Sequence, residues 1–211
     1  MRLLRGAALA AALSGLCWAA GEALMPPHRD TIYLCVVDQD GNACSFINSL
    51  FEGFGSGILA ERSGVMLQNR GFGFRVERGH PNCIAPRKRP MHTIIPGMVV
   101  EDNRPTLTFG VMGGHYQAMG HAWFLSALFD HGLDLQAAID LPRLFPLPGS
   151  NAVEAEASLR SIVELEFVKR GLKLQPPLRP IGGAQAIRID WARNVLIGAS
   201  DHRKDGFALG Y

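Results

Sequence analysis

Thr31, which opens the run TIYLCVV, carries a hydroxyl that could support covalent chemistry. A threonine hydroxyl is a weak nucleophile unless a neighbouring base removes its proton. If the chain were cut just before Thr31, the freed α-amino group, whose pKa is ordinarily about 7.7–8.0, could act as that base at neutral pH. Threonine is also a common strand residue with no such role, so the rest of the sequence has to decide.

Two further features could serve the same chemistry. Gly113 and Gly114 end the run LTFGVMGG, and their backbone N–H groups could stabilise an oxyanion because no side chain blocks the approach of a substrate. The pair could equally turn the chain from a strand into a helix, and the two interpretations are compatible. Ser49 carries a hydroxyl that can both donate and accept hydrogen bonds; taken alone, it is an ordinary strand residue.

Metal and phosphate chemistry find no support in the motifs. His115 and His121 are separated by six positions, and the seven histidines include no HExxH pattern. The runs GFGSG and GFGF lack the lysine and hydroxyl of a phosphate-binding loop. The four cysteines show no CxxC spacing. We therefore expect no metal, no nucleotide and no other cofactor.

Composition sets the broad class. The 211 residues are 47% hydrophobic, enough to bury one sizeable core. The 21 basic and 19 acidic residues leave a net charge of +2, which gives no field strong enough to attract nucleic acid or an anionic membrane. We expect one domain that does not bind nucleic acid.

Residues 1–30 form a leader with two early arginines and an alanine-rich apolar stretch, MRLLRGAALAAALSGLCWAA. This layout is typical of a signal peptide, which would place the protein in the periplasm or outside the cell. The other interpretation is an alanine-rich helix left from the end of a longer precursor, in a protein of the cytoplasm. The sequence leaves both open.

Apolar periodicity and turn residues predict a layered α+β domain with mostly antiparallel strands over residues 31–211. Two hairpins are expected at 31–51 and 94–111, helices at 116–131, 133–141 and 159–170, and strands at 184–190 and 195–200. On the first helix we place these residues on the buried side: Met119, Trp123, Leu125, Leu128 and Phe129. Residues 69–93 are long, irregular and rich in Gly and Pro, which is typical of a functional loop. We expect them to form part of a substrate site.

Five segments occur in the order seen in gamma-glutamyltransferases: DTIYLCVVDQDGN from Asp30, FGSG from Phe54, PRKRP from Pro86, GVMGG from Gly110 and GASDHRKDG from Gly198. From about Asp30 to its end, the chain therefore resembles the small subunit of the gamma-glutamyltransferase (gamma-glutamyltranspeptidase) family. The resemblance implies an N-terminal-nucleophile hydrolase with stacked αββα layers, of which this chain is one half.

The resemblance also implies roles for the candidate residues. Thr31 would cut the chain after Asp30 and then act as the nucleophile through an acyl-enzyme. Ser49 would orient it, and Gly113 and Gly114 would bind the oxyanion.

In the same pattern, Asn69 lies in the segment that reaches toward the substrate's α-substituents. Thr93 matches one of two neighbouring serines that hold the α-carboxylate, and His92 replaces the other.

Three positions depart from the family pattern. Phe51 replaces an asparagine, Arg70 replaces the usual glutamine or glutamate, and Gly73 replaces the aspartate that binds the substrate's α-ammonium group. Burying an ammonium group without an anionic partner is costly. We expect a small-molecule amide or a gamma-glutamyl substrate. Our hypothesis is that the acyl group lacks an α-amino group, as in a dicarboxylic monoamide, with Arg70 or Arg87 binding its free carboxylate. By composition alone, Arg70 would more often be a solvated surface charge.

In the family a large subunit supplies the other half of the sandwich. We expect a separately encoded large subunit, or a homo-oligomer, to cover the sheet face that a lone small subunit would expose. The alternatives are a truncated, inactive family member and a binding module that has kept the fold without turnover.

Overall fold

The computed structural model describes residues 30–210, so the predicted leader lies outside the described residues apart from the backbone of Asp30. The strands are β1 (Asp30–Val37), β2 (Ala43–Phe51), β3 (Leu59–Ala60), β4 (Val65–Met66), β5 (Pro96–Glu101), β6 (Arg104–Met112), β7 (Leu144–Pro146), β8 (Ala152–Ala155), β9 (Lys173–Gln175), β10 (Gly183–Asp190) and β11 (Val195–Ser200). The helices are α1 (Tyr116–Phe129), α2 (Leu135–Asp140) and α3 (Ala157–Lys169), with a short 3-10 turn at Arg70–Gly73. In the part of the chain described, no helix has the length and apolarity to span a membrane.

Strands β1 and β2 form an antiparallel hairpin. β-Branched and aromatic residues dominate β1, and β2 contributes Phe46, Ile47 and Phe51. The connection is closed by Asp38, whose Oδ1 accepts the N–H groups of Asp40 and Asn42 at 3.0 and 2.8 Å. The register places Thr31 directly opposite Ser49. The hairpin confirms the pairing expected for residues 31–51.

A four-stranded antiparallel sheet in the order β11-β10-β6-β5 forms the centre of the domain. Asp102 and Asn103 make the β5–β6 turn with φ of 49° and 60°, the left-handed conformation that tight hairpin turns require. The β1–β2 hairpin packs against β6 and β10. Helices α1 and α2 also contact this sheet, through β6 for α1 and through β10 and β11 for α2.

The main core lies between the sheet and the helices. Leu107, Phe109 and Val111 of β6 belong to the same buried cluster as Phe124 and Leu128 of α1. The prediction for Leu128 is confirmed.

The prediction that Phe129 is buried is wrong, since 56% of it is exposed. The reason is helical geometry. Gly120, Phe124 and Leu128 follow one another at four-residue intervals along the buried face of α1, and Phe129 lies one position, about 100°, further round the helix.

A second, smaller sheet in the order β7-β8-β9 was not predicted. Its strands are only three or four residues long, too short for a period-2 pattern to stand out. Strands β8 and β9 are parallel and are joined through α3, as a parallel pair requires a crossover connection. The remaining pairs of named strands are antiparallel, so the predicted α+β class is confirmed.

Candidate active site

Thr31 carries a hydroxyl that the fold leaves unused. Its Oγ1 is buried and forms no hydrogen bond within residues 30–210. A buried polar atom without a hydrogen-bond partner requires an explanation, and a catalytic role is one of them. The register of the hairpin shifts between Asp30 and Thr31, so strand pairing is locally irregular at the bond that precedes the threonine.

Ser49 faces Thr31 across the hairpin. In an antiparallel pair the side chains of directly opposed residues lie on the same face of the sheet, with Cβ atoms about 4.5–5.5 Å apart. The Oγ of Ser49 also accepts the N–H of Phe51 at 3.0 Å, which fixes the end of β2. The fold therefore brings together the two hydroxyl residues that the sequence singled out.

Tyr33 fixes β1 against β6. Its hydroxyl is 2.8 Å from Ser45 Oγ and 3.4 Å from Thr108 Oγ1, and its ring covers Gly110 so closely that a Cβ there would lie 2.4 Å from the ring. Burial raises the pKa of Tyr33 well above its ordinary value. Sequence reasoning missed Tyr33; the signal that could have found it is the glycine within a buried strand, which often marks a close approach of another group.

Gly113 and Gly114 connect β6 to α1 in a double-glycine turn with φ of 127° and 59°. Their carbonyl oxygens accept the N–H groups of Tyr116 and Gln117 at 3.0 and 3.2 Å. Neither glycine N–H donates a hydrogen bond to any described residue. Free N–H groups at the N-terminus of a helix attract negative charge, so the turn has the chemistry that an oxyanion site requires.

Arg70 is buried, with only 5% of it exposed, so the interpretation of Arg70 as a solvated surface charge is wrong. Its Nη1 donates to Thr93 Oγ1 at 3.3 Å, and its guanidinium lies 4.8 Å from the centre of the Phe51 ring. Its Nη2 is buried and forms no hydrogen bond within the described chain. Partial burial, followed by the positive charge of Arg70, lowers the pKa of His92. Arg70 and Thr93 are thus in contact, and His92 lies close enough to feel the charge of Arg70; their role in binding a substrate stays a prediction.

The contact between Phe51 and Arg70 was also missed. Both residues depart from the family pattern, and that shared departure was the available signal. Phe51 is fully buried and has a φ of 82°, which is unusual for a residue with a bulky side chain. The ring and the guanidinium form a cation–π contact.

Asn69 and Gly73 flank Arg70 at the 3-10 turn. The side chain of Asn69 is occupied by the backbone and carboxylate of Glu52: its Oδ1 accepts the Glu52 N–H at 3.1 Å, and its Nδ2 lies 3.3 Å from Glu52 Oε2. Asn69 therefore ties the loop to the end of β2 and so positions Arg70. The carbonyl of Gly73 accepts Asn82 Nδ2 at 2.6 Å, which holds the far side of the turn.

The remaining candidates lie elsewhere. Arg87 is exposed, with a φ of 59°, and makes no ion pair within residues 30–210. His121 is buried, and its Nε2 accepts the N–H of Val111 at 3.2 Å, which is a structural role. Over the same range, no group of three or more His, Cys, Asp or Glu side chains could hold a metal ion.

Residues 13–211 match the family model for gamma-glutamyltranspeptidase. The chain is 35% identical over 193 residues to the glutathione hydrolase-like YwrD proenzyme of Bacillus subtilis, covering 88% of this chain and 36% of that protein. It is 30% identical over 190 residues to the oxamate amidohydrolase proenzyme of Klebsiella pneumoniae, covering 86% and 36%.

Among solved structures, the cephalosporin acylase from Bacillus halodurans superposes with a TM-score of 0.78 at 38% identity, covering 90% of this chain and 37% of that one. The chain spans 36% of the length of these two curated relatives.

Proposed function

The chain belongs to the gamma-glutamyltranspeptidase family and is a small-subunit-like region of it, and we propose that Thr31 is the nucleophile of an amide-bond hydrolase or acyltransferase. The observation that carries the proposal is the buried Thr31 Oγ1, which lacks a hydrogen-bond partner among the described residues and faces Ser49 across the hairpin. The relatives are named as proenzymes of glutathione-hydrolase-like and oxamate amidohydrolase type, which is consistent with a chain that cleaves itself.

Self-cleavage requires one nucleophilic step and one hydrolysis. Thr31 Oγ1 attacks the carbonyl carbon of Asp30, the C–N bond breaks, and the proton of the hydroxyl passes to the nitrogen, which leaves an ester and a free α-amino group. Water then hydrolyses the ester, releasing residues 1–30 with a new carboxylate and regenerating the hydroxyl. The irregular register between Asp30 and Thr31 supports this site of cleavage, because regular pairing would hold the peptide in the extended ladder.

Turnover reuses the same hydroxyl. The α-amino group of Thr31 takes its proton, and Oγ1 attacks the carbonyl carbon of the donor amide. The N–H groups of Gly113 and Gly114 stabilise the oxyanion; losing one such donor costs roughly 100- to 1,000-fold in kcat in other enzymes. The amine leaves with the proton, and water or a second amine then attacks the acyl-enzyme.

The acyl group of the donor carries a free carboxylate and no α-amino group. Arg70 presents a buried Nη2 without a partner in the described chain, next to Thr93. A guanidinium binds a carboxylate in bidentate fashion, whereas it would repel an ammonium group. One relative is named an oxamate amidohydrolase, which supports an amide donor of this kind.

We further propose that a large subunit completes the site. The outer face of β1 exposes Ile32, Leu34 and Val36, an apolar stripe that a monomer seldom leaves open. The match covers 36% of each of the two curated relatives, so the proposed partner is a further chain or segment about twice as long as the matched region.

Intact-mass spectrometry of the purified chain tests self-cleavage. The wild-type chain is expected to lose residues 1–30 and to begin at Thr31, Thr31→Ser to cleave more slowly or at a similar rate, and Thr31→Ala to stay intact. Thr106→Ala, in a half-buried strand position that plays no part in the mechanism, is the matched control and should cleave normally. Cleavage of Thr31→Ala at the same bond would refute the proposal.

Donor preference is tested separately by amide hydrolysis with and without the large subunit. Oxamate and a glutaryl amide are expected to have a higher kcat/KM than glutathione. A clear preference for glutathione would overturn the assignment of Arg70 while leaving the role of Thr31 intact.

A further inference from the structure

Four charged residues form a buried cluster outside the Thr31 site, here named the arginine–carboxylate cluster: Arg143, Glu156, Asp201 and Arg203. Arg143 and Asp201 are 4% and 1% exposed, and their closest side-chain atoms, Nη2 and Oδ2, are 2.5 Å apart. Arg203 binds both carboxylate oxygens of Glu156, at 2.6 and 2.7 Å. In the sequence, Asp201 and Arg203 were noted only as part of the GASDHRKDG segment.

The pair at the centre of this cluster holds both ends of one short segment, residues 181–184. Nη1 of Arg143 donates to the carbonyl of Ile181 at 2.8 Å. Oδ2 of Asp201 accepts the N–H of Ala184 at 2.8 Å, and the same oxygen accepts Nη2 of Arg143. The ion pair therefore spans the segment and fixes its two ends relative to each other.

Between those ends, Gly182 packs directly on the double-glycine turn. A Cβ on Gly113 would lie 2.8 Å from the Cα of Gly182, and a Cβ on Gly182 would lie 2.5 Å from the ring of Tyr116 and 2.8 Å from the carbonyl oxygen of Met112. No side chain separates the two backbones. A shift of Gly182 by a few tenths of an ångström would therefore move Gly113.

We propose that Arg143 and Asp201 are positioning residues that hold the N–H groups of Gly113 and Gly114 in place for the oxyanion, through the segment 181–184. The inference rests on the proposed function of that turn. A catalytic group has to be held to within about 0.5 Å of its productive position, and a loop of glycines has no side chains of its own to achieve this. A buried ion pair contributes little net stability compared with apolar packing. This agrees with an ion pair whose role is to position the double-glycine turn.

The test uses Asp201→Asn in the full chain. The asparagine has nearly the same shape, but its NH₂ group would face donors whichever way it points, because both oxygens of Asp201 accept hydrogen bonds. Arg170→Gln is the matched control, since it removes an exposed ion pair with Glu166. If Asp201→Asn does not fold, Arg143→Lys replaces it, because a lysine cannot reach Asp201 and the carbonyl of Ile181 together.

Two measurements are made on each variant. The first is amide hydrogen exchange at Tyr116 and Gln117, whose N–H groups bond to the double-glycine turn, with the amides of the β1–β2 hairpin as internal reference. The second is steady-state hydrolysis of the best donor amide. We expect exchange at Tyr116 and Gln117 to accelerate about tenfold or more relative to the hairpin, kcat to fall about tenfold or more, and KM to stay within about twofold, with no change in Arg170→Gln.

The outcomes separate the two claims. Exchange that accelerates equally in the hairpin, or only near residue 184, would overturn the positioning role whether or not the protein is active. If exchange at Tyr116 and Gln117 accelerates relative to the hairpin while kcat of an active enzyme stays unchanged, the link between the ion pair and catalysis would be overturned. If the wild-type protein hydrolyses no donor even with the large subunit present, while the exchange is coupled, the proposed function fails and the structural coupling stands.

Discussion

Replacing Arg70 with methionine should leave the fold as stable as before, or stabilise it, while lowering activity toward a carboxylate-bearing amide. Arg70 and Arg143 are buried to nearly the same extent, 5% and 4% exposed, but their surroundings differ. Arg143 pairs with a carboxylate and donates to two backbone carbonyls. Arg70 makes no ion pair within the described residues, and its Nη2 lacks a partner there.

The magnitude follows from this difference. Burying an unpaired charge costs several kcal/mol in real proteins; burial also lowers the pKa of Arg70. Against this cost stand one hydrogen bond to Thr93, worth about 1 kcal/mol, and the contact with Phe51, worth about 1–2 kcal/mol. Arg70→Met should therefore change the free energy of unfolding by between 0 and about +2 kcal/mol. Arg143→Met should cost about 3 kcal/mol, because it breaks a buried ion pair, leaves Arg203 as the cationic partner of Asp201 and deprives the carbonyl of Ile181 of its donor.

Urea unfolding at pH 7, monitored by tryptophan fluorescence and extrapolated to water, measures both changes. In the same preparation, kcat/KM for a carboxylate-bearing amide should fall about 10- to 100-fold in Arg70→Met, the loss expected for a charge-assisted hydrogen bond worth about 1.5–3 kcal/mol. A destabilisation of more than about 1 kcal/mol by Arg70→Met would show that Arg70 is a structural residue, and the reasoning would be wrong.

Three further predictions concern neighbouring features. In Gly73→Asp the new carboxylate should pair with Arg70, because residues i and i+3 of a 3-10 turn eclipse each other. This pairing should lower kcat/KM for a carboxylate-bearing donor about tenfold. The double variant Gly73→Asp, Arg70→Gln should instead raise kcat/KM for a γ-glutamyl amide. Burial lowers the pKa of His121 to about 4. As the pH falls, His121 therefore becomes protonated in the unfolded chain before it does in the folded one, and the free energy of unfolding should fall by about 3 kcal/mol between pH 7 and pH 4. His121→Gln should remove most of that slope in urea titrations, whereas exposed His131→Gln should not. Gly182→Ala, with a φ of 66°, should cost about 2–3 kcal/mol in the same assay.

The sequence predicted the hairpins and helices because each has a strong local signal. Strand β2 begins and ends at the predicted residues, Ala43 and Phe51, since turn residues lie before it and a glycine-rich run after it. The sheet of β7, β8 and β9 was not predicted, because strands of three or four residues form through tertiary packing and carry little local sequence pattern.

For the candidate site, too, some features could be predicted from the sequence and others could not. Thr31, Ser49, Gly113 and Gly114 are each fixed by local backbone geometry, in a hairpin register or a turn, and that geometry could be predicted from turn and strand chemistry. The burial of Arg70 could not, because a loop rich in Gly and Pro leaves the direction of a long side chain undetermined. Only the packing of Phe51 against it decides that direction.

The three departures from the family pattern act together. An arginine in place of glutamine would be too costly to bury alone, but the Phe51 ring beneath it supplies a cation–π surface that the family's asparagine could not. A glycine at position 73 removes the acid that would otherwise pair with the guanidinium across the 3-10 turn. With Phe51, Arg70 and Gly73 in place, the guanidinium packs on the Phe51 ring and its Nη2 has no partner among the described residues, as the proposed carboxylate site requires. Reverting one of the three should therefore impair carboxylate-donor hydrolysis without restoring glutamyl transfer, and reverting all three should exchange one activity for the other.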